Sequence, residues 1–499
     1  MNPLRKIVIL GGGSSGWIAA AMLGFHLKRE LCAVELVESA DIGSIGIGES
    51  TVPPFLGLIR RLGIDEQDFV RATRATYKLG IKFVDWQERR EQYFHPFGVI
   101  GKRIGNHDFY QCWLKARQDG DSSSLLDFSP CSVMAEQGRF FHPSKAQNTP
   151  IGGANYALHV DAGAMADYLR KYAEERGVTR TQGRVTQVQQ DDNGNISKLI
   201  LSDGREVSGD FFIDCSGFKA LLIEQTLSAG FEDWSEYLPC DRAITLKTAP
   251  SGPTLPYTLA TARKAGWTWR IPLQDRLGHG YVYASRFCSD ADARSSLLRS
   301  IDSALIDEPR SLSFITGRRR EIWKRNCLSL GLSSGFVEPL EATALHLIGR
   351  GMDFFLRYFP DRDCDANLIK EYNRRMNADF EEVRDFIMLH YSATRRDDTP
   401  FWRWCKNLQL PDSLQERIEL FRGHGALREG VDELFRQVSW QSVFEGMGIR
   451  PQKHCPRVNH IEAQQITQTL QRARSAIHGM VKTLPTHDEF LQSQAAGKK

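Results

Sequence analysis

The sequence contains no C-x-x-C pair, no long apolar run, no internal repeat and no large surplus of either charge. Its ten cysteines, at positions 32, 112, 131, 215, 240, 288, 327, 364, 405 and 455, are scattered. That spacing writes neither a zinc cluster nor a dithiol redox motif, and it agrees with a reduced, cytoplasmic compartment and with no metal site. A membrane span needs about 18 consecutive apolar residues, and none occurs. Arg5 and Lys6 precede the apolar run Ile7 to Leu10, as in a secretory signal, but the glycines from Gly11 to Gly16 break that run too early for a signal core. Lys and Arg total 64 against 61 Asp and Glu, a net charge of +3, which argues against a polyanion such as nucleic acid as partner. At roughly 150 residues per domain, 499 residues make about three domains or one elaborate enzyme.

The chain opens as strand, glycine turn, helix, strand. Lys6 to Leu10 reads as a buried strand, Gly11-Gly-Gly-Ser-Ser-Gly16 as the turn, Trp17 to Leu31 as a helix, and Ala33 to Val37 as a second strand ending at Glu38. Between Gly183 and Cys215, short alternating runs separated by Asp192-Asn-Gly194 and Ser202-Asp-Gly204 predict hairpins, followed by an apolar strand Phe211 to Ile213 and then Asp214-Cys-Ser-Gly217. Another apolar run, Cys327 to Leu332, breaks at Ser333-Ser-Gly335 and leads into a helical stretch from Leu340 to Tyr358. Beyond about 360 the pattern is mainly helical, and residues from Gln492 onward read as a frayed tail.

G-x-G-x-x-G at Gly11, Gly13 and Gly16 follows a strand and opens a helix, with an acid at Glu38, 22 residues past Gly16. The glycines allow a tight turn and close approach to a pyrophosphate, the helix N-terminus stabilises its charge, and the acid takes ribose hydroxyls. A second such motif, the mark of a separate NAD(P)H domain, is missing. The hairpin insertion and the late strand at Asp214 suggest a chain that returns to the nucleotide site, in a manner that resembles FAD-dependent oxygenases. Aromatic hydroxylases hold the flavin with a Gly-Asp pair on a late strand, and Gly331-Leu-Ser-Ser-Gly335 has no such acid.

Several segments together resemble the flavin-dependent tryptophan halogenase family. Gly266-Trp-Thr-Trp-Arg-Ile-Pro272 carries its W-x-W-x-I-P signature at Trp267, Trp269, Ile271 and Pro272. The turn in the form G-G-G-S-S-G-W, Gly46-Ile-Gly-Glu-Ser-Thr51, the segment around Lys78, Phe336-Val-Glu-Pro-Leu-Glu-Ala-Thr343 and Arg396-Asp-Asp-Thr-Pro-Phe-Trp402 match in order. The resemblance implies an α/β fold with a Rossmann-type, oxygenase-like FAD module, an inserted β-sheet and a mainly helical substrate lobe. The expected division is 1–360 for the FAD module, 361–490 for the helical lobe and 491–499 for a flexible tail.

By the same resemblance Lys78 is the catalytic lysine. In the family, reduced flavin and oxygen give a flavin hydroperoxide, halide attacks it, and hypohalous acid travels a tunnel to a lysine that directs it by a hydrogen bond or as a haloamine. Lys82 is the neighbouring competitor, and the family register selects Lys78. Glu341 is the matching carboxylate, expected to help hold that acid and to accept the ring proton, with Glu338 as the rival. Backbone N–H groups at Thr343 and Ala344 are expected to bind halide; relatives often carry Gly or Ser at the position of Ala344. The implied FAD contacts are Gly11, Gly13, Ser14, Ser15, Gly16, Glu38, Glu49, Ser50, Val185, Asp214, Leu332 and Leu345. The W-x-W-x-I-P segment keeps substrate off the flavin in relatives; taken alone, its two tryptophans read as a strand face filling a core.

His95 and Phe97 resemble the family's ring-stacking pair, with Trp440 a third wall. Relatives that chlorinate free tryptophan carry a Tyr-Tyr pair and a glutamate shortly before the equivalent of Trp440, whereas this chain reads Glu433-Leu-Phe-Arg-Gln437. The implied substrate is thus an indole-type aromatic (indole, an indole derivative, or a tryptophan within a peptide or larger metabolite) rather than free tryptophan. The implied co-substrates are O2 and chloride or bromide, with reduced FAD from a separate flavin reductase; a homodimer is the assembly this resemblance allows. An FAD-dependent aromatic monooxygenase that reduces its own flavin, and a non-catalytic flavoprotein, are the alternative readings.

Overall fold

The computed structural model of the chain describes residues 2–39, 49–428, 430 and 432–496. Two compact units emerge, whose segments alternate along the sequence. The first comprises Met1–Ala75, Val160–Asp241 and Leu312–Val383, and the second Thr76–His159, Arg242–Ser311 and Arg384–Lys499. The sequential division near 360 differs from this, because strand pairing joins Gly80–Val84 to Thr258–Arg263 and the late helix Gln437–Gly446 packs on Gln92–Pro96.

In the first unit Lys6–Leu10 (β1) lies at the middle of a six-stranded sheet. Ile7, Val8 and Ile9 are fully buried, as expected of a central parallel strand covered on both faces. Ala33–Glu38 (β2) pairs parallel with one edge of β1 and Phe211–Asp214 with the other, so that Leu10 stands between Val37 and Asp214. Thr179–Gln182 extends the sheet beyond β2 and Cys327–Ser329 beyond Phe211–Asp214, both parallel. Neighbours on both sides of the first strand create the switch point at which such sheets bind ligands, beyond the carboxyl ends of their strands. The helix after β1 (α1) runs Ser14–His26, shorter at its end than expected because Leu27 turns extended at φ −106° and ψ 136°. The hairpins expected before Cys215 are present. Val185–Gln190, Ile196–Leu201 and Glu206–Ser208 form an antiparallel meander. Val188, Leu199 and Val207 from it join Val8, Phe212 and Leu222 in one core.

The second unit is built on a seven-stranded sheet in the order Arg310–Ser313, Arg242–Thr248, Leu277–Tyr283, Gly266–Pro272, Thr258–Arg263, Gly80–Val84, Gln92–Pro96. Its pairings from Arg242–Thr248 onward are antiparallel except Thr258–Arg263 with Gly80–Val84. Helices Pro400–Lys406, Asp412–His424, Gln437–Gly446, Ala463–Val481 and His487–Ala496 follow, so the late region is helical as its pattern predicts. The end departs from the expected tail: His487–Ala496 is a helix anchored by His487, fully buried, and Phe490, 7% exposed.

Candidate active site

The glycine turn owes its shape to what glycine lacks. Gly11 has φ +117°, and a Cβ there would lie 2.2 Å from the Cys215 carbonyl oxygen. A Cβ on Gly16 would sit 1.8 Å from the Gly11 carbonyl oxygen, so helix and turn touch backbone to backbone. On Gly12 it would fall 1.4 Å from Glu38 Oε2, which puts the carboxylate directly over the turn. Arg180 Nε donates to Glu38 Oε1 at 2.5 Å and holds that side chain. Gly13, the N-cap of α1, has no side-chain cap, and a Cβ there would meet nothing within 4 Å. Open space, an uncapped helix start and a nearby acid fit the pyrophosphate and ribose of a dinucleotide.

Two later segments meet this turn. Asp214 is completely buried; its carboxylate accepts from Ser216 N at 2.9 Å, Leu222 N at 2.8 Å and Ile223 N at 2.9 Å. Its carbonyl accepts from Leu330 N at 2.9 Å and Ser333 Oγ at 2.5 Å. The side chain is thus spent on shaping its own turn. Gly331, at φ +67°, abuts Ser15: a Cβ there would lie 2.3 Å from Ser15 Oγ. That brings Leu332, in the 3-10 turn Gly331–Ser333, to the start of α1. Val185 opens the meander after Gly183, whose N–H donates to the Glu38 carbonyl at 2.9 Å. Ser50 is half-buried in a short strand; the Glu49 side chain and Gly46–Gly48 lie outside the described residues.

The helix expected from Leu340 is interrupted. Pro339–Glu341 is a 3-10 turn, Ala342 takes a left-handed φ of +58°, and the α-helix starts afresh at Ala344 and runs to Arg357. Glu338 and Glu341 bracket that turn, 0% and 1% exposed. Glu338 is the N-cap of the turn and Glu341 is its last residue. Thr343 is the N-cap, with no side-chain cap, and Ala344 is exposed, so the helix start is open to an anion. Leu345 is buried just behind.

Within the second unit Lys78 ends the short strand Thr76–Lys78 and is 0% exposed. Its Nζ stands 5.2 Å from the centre of the Phe97 ring, over its face. Burial of a lysine is costly, and a ring face is one of the few apolar surfaces that attracts an ammonium. His95 and Phe97 follow from the pairing of Gly80–Val84 with Gln92–Pro96, which sets Ile81 opposite His95, and from Phe97 N donating to the Leu79 carbonyl at 2.9 Å. The His95 ring lies 6.4 Å from Phe97, 5.4 Å from Phe386 and 6.3 Å from Phe435. Trp440, 1% exposed, meets Phe386 edge-on at 4.8 Å. The structure therefore gathers Lys78, His95, Phe97 and Trp440 into one aromatic group. It adds Phe386 and Phe435, stacked on each other at 3.8 Å, which no sequence spacing announces.

Trp267 and Trp269 share one face of the strand Gly266–Pro272, their rings 5.9 Å apart. Trp269 faces Gly280 across the sheet and folds over it; a Cβ on Gly280 would fall 2.0 Å from the indole. Neither indole N–H finds a partner among the described residues. The Arg396–Trp402 segment secures the turn that enters this strand. Thr399 Oγ1 donates to the Lys264 carbonyl at 2.8 Å and Trp402 Nε1 to the Arg263 carbonyl at 2.7 Å. At the strand's far end the Pro272 carbonyl accepts from Thr76 Oγ1 at 2.7 Å. Thr76 also contacts His159, and Tyr77 contacts His487. Neither buried histidine stands in a motif, so sequence reasoning had no signal for them.

A dinucleotide turn that a flavin fits, and a buried lysine beside stacked rings, are the features of a flavin-dependent oxidoreductase acting on aromatics. The family model described as tryptophan halogenase matches residues 6–463. The chain is 33% identical to tryptophan 7-halogenase RebH of Lentzea aerocolonigenes, over 98% of this chain and 99% of that protein. Among solved structures it resembles Xcc4156, a flavin-dependent halogenase from Xanthomonas campestris, with a TM-score of 0.94 and 42% identity over 99% and 98% of the two chains. BrvH, a flavin-dependent halogenase from Brevundimonas sp. BAL3, gives 0.94 and 38% over 98% and 99%. The chain belongs to the tryptophan halogenase family and is a flavin-dependent halogenase. No helix among the described residues is long and apolar enough to cross a membrane.

Proposed function

We propose that this enzyme halogenates an indole-type aromatic that lacks a free amino-acid end, using chloride or bromide, O2 and reduced FAD delivered by a separate reductase. When bound, reduced flavin with oxygen supplies the oxidising power that turns halide into hypohalous acid. The contacts assigned to the flavin are Gly11, Gly13, Ser14, Ser15, Gly16, Glu38, Glu49, Ser50, Val185, Leu332 and Leu345, with Asp214 acting through the turn it shapes. Thr343 and Ala344 present the halide-binding N–H groups. Lys78 holds the electrophilic halogen and aims it at one ring carbon, His95, Phe97 and Trp440 fix the ring plane, and Glu341 takes the proton that leaves as aromaticity returns. The observation that carries the reading is the buried Lys78 amine over the Phe97 ring, in the group that holds His95 and Trp440.

The substrate preference rests on Glu433. Arg417 Nη2 donates to its Oε1 at 3.0 Å, and the same guanidinium covers the Trp440 ring at 4.2 Å. The acid of this stretch is thus tied to an arginine rather than presented to an ammonium, and Phe435 makes the surroundings apolar. Mass spectrometry after incubation of an indole and tryptophan panel with bromide or chloride, FAD, a flavin reductase and NADH tests the proposal. Halogenated indole exceeding halogenated tryptophan is expected. No halogenated product across the panel, with flavin still bound, refutes it, and NAD(P)H consumption without added reductase favours the monooxygenase alternative.

A further inference from the structure

The Thr76–Lys78 strand is held by two buried imidazoles whose hydrogens can be placed. A carbonyl only accepts, so the single Thr76 hydroxyl hydrogen goes to Pro272 O at 2.7 Å. Thr76 Oγ1 then accepts from His159 Nδ1–H at 3.1 Å, which leaves His159 Nε2 to accept from the Thr258 hydroxyl at 2.8 Å. On the neighbouring residue, Tyr77 N–H donates to His487 Nε2 at 3.2 Å, so the hydrogen of His487 sits on Nδ1 and goes to the Thr254 carbonyl at 3.0 Å. A charged imidazole has no free acceptor: His487 would lose the Tyr77 N–H bond, whereas His159 would keep Thr258 only by reversing that hydroxyl. Burial holds both rings uncharged: His159 is kept well below the ordinary imidazole range by desolvation first and then by the nearby Lys78, and desolvation pushes His487 down to about 4.

His487 opens the C-terminal helix His487–Ala496. The approach to that helix is stitched to the segment around Phe140. Arg139 Nη1 donates to the Leu484 carbonyl, Phe140 N to Pro485 O at 3.3 Å, and His487 N to Gly138 O at 2.9 Å. Tyr77 stacks on Phe140 at 4.4 Å, and Phe490 meets both rings, at 5.4 and 4.9 Å. The last helix thus reaches the residue next to Lys78 by one hydrogen bond and one ring cluster, all within the second unit.

We propose that His159 and His487 are positioning residues for Lys78, and that the C-terminal helix completes the lysine's seat by holding the Tyr77 N–H. The inference rests on the reading of Lys78 as the residue that directs the halogen. A lysine held loosely lets hypohalous acid escape instead of transferring its halogen, so loss of the clamp lowers turnover and releases oxidant while substrate binding is kept.

The test compares wild type, Lys78→Met, His487→Leu, His487→Gln and the nearly isosteric Thr258→Val as full-length proteins. The assay contains indole, bromide, FAD, a reductase and NADH, and a β-diketone traps free halogenating oxidant. His487→Leu should lower kcat on the order of 10- to 100-fold, the cost of a small misplacement of a reacting group. KM for indole should stay within about twofold, trapped oxidant should rise, and the Tyr77 amide should exchange hydrogen faster. In His487→Gln an amide oxygen can accept the Tyr77 N–H, so part of kcat and of the exchange protection should return. Thr258→Val, which leaves the Tyr77 contact intact, should show a smaller drop in kcat with the same release of oxidant. Wild-type turnover and coupling in both His487→Leu and Thr258→Val, or a turnover loss in His487→Leu with Tyr77 exchange unchanged, overturns the clamp alone if Lys78→Met is inactive. Full coupled bromination by Lys78→Met overturns the reading of Lys78, and the clamp with it.

Discussion

Asp214→Ala removes a carboxylate that accepts from three backbone N–H groups in a site with no solvent access. Each buried donor left without a partner costs roughly 1–3 kcal/mol, so three cost about 3–6 kcal/mol after partial relaxation. That is a large share of the roughly 5–15 kcal/mol that keeps a domain folded, and the first unit should unfold early. Asp214→Asn is the graded comparison. Its single acceptor oxygen can face Leu222 and Ile223 N–H only by turning the NH2 group toward Ser216 N–H, a loss of about 2–3 kcal/mol from one missing and two weakened charge-assisted bonds. Urea unfolding followed by tryptophan fluorescence reads both, as the shift of the earliest transition. Flavin affinity should fall in the same order, because the Asp214 carbonyl also anchors Leu330 and Ser333. If Asp214→Ala unfolded within about 0.5 kcal/mol of wild type, the range of an ordinary surface change, the account of this turn would be wrong.

Gly16→Ala should abolish flavin binding in a fluorescence titration, since the new methyl would lie 1.8 Å from the Gly11 carbonyl oxygen and neither backbone can yield. Phe97→Leu removes the ring face 5.2 Å from Lys78 Nζ. Its expected effect is a rise in KM for indole of about 2- to 12-fold, from about 0.5–1.5 kcal/mol of ring stacking, with flavin affinity unchanged. Acid should destabilise the protein through its buried histidines. His279 and His487 are each held down to about 4, chiefly by burial, so below their ordinary value of 6.5 the unfolded chain takes up protons that the folded chain refuses. Stability is therefore full above about pH 6.5 and falls by roughly 1.4 kcal/mol per pH unit for each as pH drops toward 4, which thermal melts across that interval would register.

The nucleotide half of the site was legible because its chemistry is local. A strand, a glycine turn and a helix start are consecutive, and the acid at Glu38 is the end of the next strand, so spacing alone determines their geometry. The meander before Cys215 was legible for the same reason, through Gly194 and Gly204 at φ +77° and +84°. Glu341 and the halide turn were read as one helix start, and the break at Ala342 went unseen, since alanine carries no signal for a left-handed conformation. Lys78 and the His95–Phe97 pair were identifiable only by likeness to a family, because a lone lysine in a short strand has no periodicity of its own.

The sequence by itself determined the dinucleotide turn, the α/β class and the family, all of which rest on residues near one another in the chain or on ordered motifs. Only the tertiary structure decided that the chain groups into two interleaved units, that the Asp214 carboxylate serves its own turn, and that His159 and the last helix reach the lysine strand. Those facts depend on pairings between residues separated by up to several hundred positions, such as Tyr77 with His487. Burial makes such pairings obligatory, because a polar group cut off from water must find its partner wherever the fold brings one.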